Sequence, residues 1–103
     1  MDARYYEEER FLCVELFKDS DWPVFEAIGK ELSEKFKVEW KVQLDGFDQR
    51  YWDFEYSGIV LTLHLEHYLG ISIYIEKAKT DTDVAAQALK EIGDHFKDWY
   101  PAI

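Results

Sequence analysis

The sequence predicts an α+β fold: a two-layer sandwich in which two helices cover one face of an antiparallel sheet of four to five strands. Apolar residues alternate with polar ones in several short segments and recur at helical spacing in two longer ones. The connections between the short segments are too brief for crossover helices, which favours antiparallel pairing. The predicted element order is β-α-β-β-β-β-α. With 103 residues and no linker or repeat, residues 1–103 are predicted to form one domain.

The first half of the chain predicts a strand, a helix and a second strand. Residues 11–17 are apolar and β-prone, and they end at residues 18–21, whose side-chain oxygens can cap a helix. Trp22-Pro23 then opens the helix, because proline is tolerated in a first turn. Its apolar residues recur at helical spacing, at Phe25, Ile28, Leu32 and Phe36. From residue 38 the period is two, and one face of the next strand carries Val38, Trp40, Val42 and Leu44.

The second half predicts three more strands and the final helix. Residues 52–56 alternate aromatic and acidic side chains and form a short strand. Residues 59–66 and 71–76 form a hairpin whose register is well fixed, because a slip of one residue would expose its whole apolar face. Residues 80–83 cap a helix whose apolar stripe is Ala85, Ala88, Leu89, Ile92, Phe96 and Trp99. At the other end of the chain, Arg4, Tyr5 and Tyr6 beside the acids at residues 7–9 are a second candidate binding cluster, for which a fraying chain end is the favoured interpretation.

The sheet face opposite the helices is predicted to be polar and to be the working surface. A bulge would exchange the faces of a strand on either side of it. A homodimer through this face, or through residues 71–76 as an open sheet edge, is also compatible with the pattern. The predicted outward side chains are those of Glu15, Glu39, Lys41, Asp53, Glu55, Thr62, His64, Glu66, Ser72, Tyr74 and Glu76.

The formal net charge of -10 makes a basic protein the expected partner. The same charge repels phosphate backbones and anionic lipids, so we expect neither nucleic-acid nor membrane binding. The lone cysteine, Cys13, lies in an apolar segment and is expected in the core of a protein from the reducing cytoplasm. No export signal or membrane span is recognisable. The glycines are scattered and form no phosphate-binding loop, so no cofactor is expected.

Residues 45–56 combine five aromatic side chains and four acids around a lone arginine. Aromatic residues and arginine are enriched at the energetic centres of protein interfaces, and neighbouring acids would steer a cationic partner. The segment therefore predicts a partner-binding site. The alternative is a loop followed by a strand whose Trp52, Phe54 and Tyr56 belong to the core. The partner-binding candidates are Phe47, Asp48, Arg50, Tyr51, Asp53 and Glu55.

The segment His64-Leu65-Glu66-His67 is the one cluster of metal-competent side chains that the sequence offers. The period of a strand places His64 and Glu66 on the same side, and His67 would have to turn back from the following loop. His95 or an acid from another strand is the other source of a third ligand. Ordinary exposed residues at the end of a strand are the alternative interpretation.

These observations favour a non-catalytic module that binds a basic protein. In size, acidity, aromatic content and element order the chain is similar to small bacterial immunity proteins, which cap basic toxin domains. That resemblance rests on no motif, so it implies a role but identifies no residues. The alternative is a small metal-dependent hydrolase that uses His64, Glu66 and His67.

Overall fold

The computed structural model describes residues 1–102 and confirms the α+β sandwich. A π-helical turn, Leu32–Phe36, extends the first helix, and a short 3₁₀ turn, Lys77–Lys79, precedes the second. The strands and helices are β1 (Arg4–Glu7), β2 (Phe11–Phe17), α1 (Trp22–Glu31), β3 (Glu39–Asp45), β4 (Gln49–Tyr56), β5 (Ile59–Glu66), β6 (Gly70–Glu76) and α2 (Thr82–Lys97).

The sheet has six antiparallel strands in the order β1-β2-β6-β5-β4-β3, rather than the four to five predicted. The additional strand is β1, which was expected to fray. It is held in place by Tyr5, whose ring lies against Gly93 of α2 and whose hydroxyl donates to Asp94 at 2.8 Å. The prediction that residues 71–76 form an open edge is wrong, because β6 lies between β2 and β5.

Both helices begin at the aspartates that the sequence offered as caps. Asp21 accepts a hydrogen bond from the Val24 amide at 3.0 Å. Asp81 accepts from the amides of Asp83 and Val84 at 3.0 and 3.2 Å. These bonds satisfy amide groups that have no partner within the helix. None of the helices in residues 1–102 combines the length and the apolar character needed to cross a membrane.

The two helices pack side by side on one face of the sheet. Phe25 of α1 meets Trp52 of β4 edge to face, with ring centroids 4.9 Å apart. The side chains of Glu31 and His95 join the helices, with 2.6 Å between Oε2 and Nε2. The fully buried core between the layers includes Val14, Leu16, Phe25, Ile28, Leu32, Phe54, Leu63, Leu65, Ile71, Ile73, Ala85, Ile92 and Phe96.

A β-bulge in β3 changes which side chains face the helices. Trp40 pairs with Phe54, whereas Val42 pairs with Asp53, so Lys41 is the extra residue. Before the bulge, Trp40 points toward the helices and donates from Nε1 to Ser33 at 2.8 Å. After it, Val42 and Leu44 point away from them. The prediction that Val38, Trp40, Val42 and Leu44 share one face is therefore wrong, because the inserted residue shifts the alternation by one.

Candidate functional site

The face of the sheet turned away from α1 and α2 is termed the outer face. Within residues 1–102 no helix covers it. Strand register confirms the predicted outward side chains, which form cross-strand rows. One row crosses five strands and consists of Glu15, Ser72, His64, Tyr51 and Leu44. The outer face is therefore a continuous surface to which β2, β6, β5, β4 and β3 all contribute.

The aromatic and acidic segment 45–56 is divided between the two faces of the sheet. Tyr51, Asp53 and Glu55 lie on the outer face, whereas Arg50 lies on the helix side with Trp52 and Phe54. Arg50, one of the partner-binding candidates, is only 5% exposed, so its side chain is not available to a partner on the surface. The sequence did contain a signal for this position. Side chains of a strand alternate between its two faces, and Arg50 lies an even number of positions from Trp52 and Phe54, which were expected in the core.

Arg50 fastens the β3–β4 hairpin to α1. Its Nε and Nη2 donate to the two carboxylate oxygens of Asp45 at 2.8 and 3.2 Å, and these bonds hold the pKa of Asp45 below its usual value. Its guanidinium carbon lies 4.4 Å from the ring centroid of Trp22, and 4.7 Å from those of Phe25 and Trp52. A cation enclosed by three aromatic rings has a structural role here.

The end of the same hairpin carries exposed apolar side chains. Val42 and Leu44 are 43% and 61% exposed, and Phe47 at the tip is fully exposed. Tyr51 is half-buried beside Leu44 on the adjacent strand. These four residues are termed the hairpin patch. Carboxylates lie around it, at Asp48, Asp53 and Glu55.

The charged neighbours of the hairpin patch are held by local contacts. Asp53 accepts a hydrogen bond from the Thr62 hydroxyl at 2.6 Å. The Nζ atom of Lys41, at the bulge, lies 3.1 Å from Oε1 of Glu39 and 3.7 Å from Oε1 of Glu55, so the two carboxylates share one cation. Asp48 is exposed at the hairpin tip, where its carbonyl accepts from the His67 amide at 3.1 Å. The patch is thus an apolar surface with a predominantly acidic border.

A concave site of about 320 Å³ lies on the outer face next to the hairpin patch. It is termed the outer-face cup. Its aromatic walls come from three tyrosines on three strands, and its floor includes a histidine and a serine. The residues that define it are Tyr6, Tyr51, His64, Glu66, Ser72 and Tyr74.

His64 is the central side chain of the cup. Its ring stacks on Tyr51 with centroids 4.4 Å apart and meets the edge of Tyr74 at 5.7 Å. Burial lowers the pKa of His64, and the nearby carboxylate of Glu66 only partly opposes that effect, so the folded state disfavours protonation of the ring. Its Nε2 is buried, lies 3.6 Å from Glu66, and has no hydrogen-bond partner within residues 1–102.

The predicted metal cluster is only partly assembled. His64 and Glu66 are neighbours, but His67 lies in the exposed β5–β6 turn with its ring against Tyr68. His95 is in the helix layer, paired with Glu31. In the part of the chain that the structure describes, no three histidine, cysteine, aspartate or glutamate side chains are grouped to hold a metal ion.

Two features of this surface were not predicted from the sequence: the outward position of Val42 and Leu44, and the place of Tyr6 in a strand of the sheet. Val42 and Leu44 lie on the outer face only because of the bulge, and the residue types around Lys41 do not predict a bulge there. Tyr6 joins the cup because β1 pairs with β2, opposite Cys13. Because Tyr5 and Tyr6 are consecutive, a strand at this position would place one tyrosine on each face of the sheet, which is the sequence signal for Tyr6 on the outer face.

Comparison with known proteins gives a family but no activity. No curated protein and no solved structure matches the chain. Residues 2–90 match a family described as "protein of unknown function (DUF3630)". The match covers all six strands, α1 and the first half of α2. This chain therefore belongs to the DUF3630 family.

Proposed function

We propose that the protein is a non-catalytic binding module whose outer face docks on a basic partner protein. The observation that carries the proposal is the hairpin patch, which keeps Val42, Leu44 and Phe47 in solvent on an otherwise folded domain. Exposed apolar groups bordered by polar residues are typical of interaction surfaces. The likeness to immunity proteins implies the same role, and the free Cys13 thiol suits a cytoplasmic location.

The charge of the surface argues for a basic partner. The net charge is -10, and carboxylates border the hairpin patch at Asp48, Asp53 and Glu55. Long-range attraction between such a surface and lysine or arginine residues raises the rate of association. Burial of the patch against apolar atoms of the partner then lowers the rate of dissociation.

Capture from an extract of the organism that makes the protein tests this proposal. The variant carries Leu44→Ser and Phe47→Ser, and the control is Val84→Ser, which changes an exposed apolar residue on α2. We expect the native chain and the control to retain the same basic protein, and the double variant to lose it. Captured proteins are identified by mass spectrometry, and thermal unfolding verifies that all three chains are folded.

Binding to the purified partner then tests the electrostatic part of the proposal. The association rate constant is expected to fall about tenfold between about 50 and about 500 mM NaCl, because salt screens the attraction. Capture of no basic protein, or equal capture by the double variant, would refute the proposal.

A second copy of the chain is the other occupant that the patch would fit. Sedimentation velocity distinguishes the two cases. The proposal predicts a mass that does not depend on concentration. A dimer that forms with rising concentration and is lost with Leu44→Ser and Phe47→Ser would assign the patch to self-association instead.

A further inference from the structure

The outer-face cup has the charge and the lining of a site for an organic cation. Its border includes the carboxylates of Glu8 and Glu66, and no lysine or arginine is among its lining residues. Its volume of about 320 Å³ lies at the lower end of the range found for ligand sites. The Arg4 guanidinium lies 4.8 Å from the centroid of the Tyr6 ring but is paired with Glu15, so the carboxylates of Glu8 and Glu66 still favour a cationic ligand.

The aromatic walls favour the same class of ligand. Tyr6, Tyr51 and Tyr74 come from three different strands and line one cavity. Tyrosine rings attract cations placed over their faces. A guanidinium is planar, is less strongly hydrated than an ammonium and stacks on aromatic rings, so it suits such a site better than a lysine side chain does.

Two polar groups at the floor complete the match: the Glu66 carboxylate, which only accepts, and the His64 Nε2 atom, which accepts when the ring proton is on Nδ1. The Nε2 atom of His64 is buried without a hydrogen-bond partner in residues 1–102, and the carboxylate of Glu66 is 3.6 Å from it. That separation is too long for a hydrogen bond between them. A guanidinium carries five N–H donors in a fixed fork, which allows it to donate to two adjacent acceptors at once.

We propose that the outer-face cup binds the guanidinium group of an arginine side chain of the basic partner, with Glu66 and His64 as acceptors and the tyrosines as stacking surfaces. The inference rests on the proposed function, since it assigns the partner's arginine to a specific place. Tyr51 belongs to both the cup and the hairpin patch. A bound arginine therefore lies next to the apolar contact, where desolvation strengthens the charged hydrogen bonds.

Titration with a free arginine derivative tests the cup without the partner. N-acetyl-arginine amide is added to the isotope-labelled protein, and proton–nitrogen NMR spectra are followed. We expect saturable shifts centred on the amides of His64, Ser72 and Tyr74. The citrulline derivative, a neutral analogue of the same shape, is expected to bind at least about tenfold more weakly, because it lacks the charge.

Substitutions assign the binding to the cup. Glu66→Gln is expected to weaken the arginine derivative about tenfold, since it removes the charged acceptor. Tyr51→Leu is expected to weaken it about threefold through loss of stacking. Glu34→Gln is the matched control: it removes the same charge from an exposed glutamate in the helix layer, and it should leave the affinity unchanged.

Three outcomes would overturn the inference. The first is the absence of saturation at any soluble concentration of the arginine derivative. The second is saturation that Glu66→Gln does not weaken, which would mean binding elsewhere on the acidic surface. The third is equal affinity for N-acetyl-lysine amide, titrated in the same way, which would exclude the guanidinium assignment. Because the titration needs no partner, it succeeds or fails independently of the capture experiment.

Discussion

Substitution of Arg50 tests whether this side chain fastens the β3–β4 hairpin to the helix layer. Arg50→Met retains much of the apolar stem and removes the guanidinium, whereas Arg50→Ala removes both. The guanidinium is enclosed by Trp22, Phe25 and Trp52 and pairs with Asp45. Loss of these contacts should lower the free energy of unfolding without affecting the outer face directly.

The size of the effect follows from the contacts. A desolvated cation–π site contributes about 2 kcal/mol, and the three rings share one cation, so they count as one site. The pair with Asp45 adds about 1 kcal/mol, because that carboxylate is 46% exposed and its interaction is screened. Arg50→Met should therefore cost about 3 kcal/mol. Arg50→Ala should cost about 4 to 5 kcal/mol, because it also leaves a cavity.

Urea unfolding followed by tryptophan fluorescence measures these free energies, and thermal unfolding measures the corresponding change in Tm. For a domain of this length, about 3 kcal/mol corresponds to a fall in Tm of about 12 to 24 °C. Lys41→Met is the matched control: it removes a cation from the neighbouring strand that pairs with Glu39 and Glu55 at the surface. Its cost should stay below about 1 kcal/mol.

The pH dependence gives an independent check. Hydrogen bonds from Arg50 lower the pKa of Asp45 in the folded state, so the unfolded state binds the proton more readily. The stabilisation is present above the unfolded pKa, about 4, and is lost as pH falls through the lower folded value. Arg50→Met should reduce this acid sensitivity. An effect no larger than that of Lys41→Met would refute the anchoring role of Arg50.

Three further predictions concern a turn and two titrating groups. Gly70→Ala should lower the free energy of unfolding, measured in urea, by about 2 to 4 kcal/mol, and the control Gly58→Ala should lower it by about 1 kcal/mol. Both glycines have positive φ, but only at Gly70 would an added Cβ lie 2.3 Å from a carbonyl oxygen. Asp94→Asn should flatten the fall in Tm between about pH 4 and pH 2, since Lys90 holds the pKa of Asp94 at about 2. His64→Gln should abolish the loss of stability that occurs as pH falls below about 6.5. That loss arises because burial lowers the pKa of His64 in the folded state, so the unfolded chain takes up the proton at a higher pH than the folded protein does. Thermal scans from neutral to acidic pH measure the effect.

Local chemistry accounts for the elements that the sequence predicted. Asp21 and Asp81 cap the two helices as expected, because a side-chain oxygen satisfies amides within three residues of it. The β5–β6 hairpin forms as predicted, with apolar residues of the two strands opposite one another, such as Leu63 and Ile73. In each case the decisive interaction is close in sequence or is repeated along a strand, so the pattern of residues reports it.

The errors arise from contacts that are distant in sequence. β1 forms because Tyr5 packs on Gly93 and binds Asp94, nearly ninety residues away. The inward position of Arg50 depends on a space between Trp22 and Trp52 that only the assembled layers create. The bulge at Lys41 is a property of the paired strands rather than of β3 alone.

The two edges of the sheet differ in a way that indicates how a partner docks. β1 is four residues long and pairs its charges, Arg4 with Glu15 and Glu7 with Lys77, so it presents little backbone for another strand. The other edge, β3, is interrupted by the bulge, which twists the strand and opposes regular strand addition. The same bulge turns Val42 and Leu44 outward. We therefore expect a partner to contact the outer face through side chains rather than extend the sheet, and a partner-bound complex whose β3 amides remain as open to hydrogen exchange as in the free protein would agree with this.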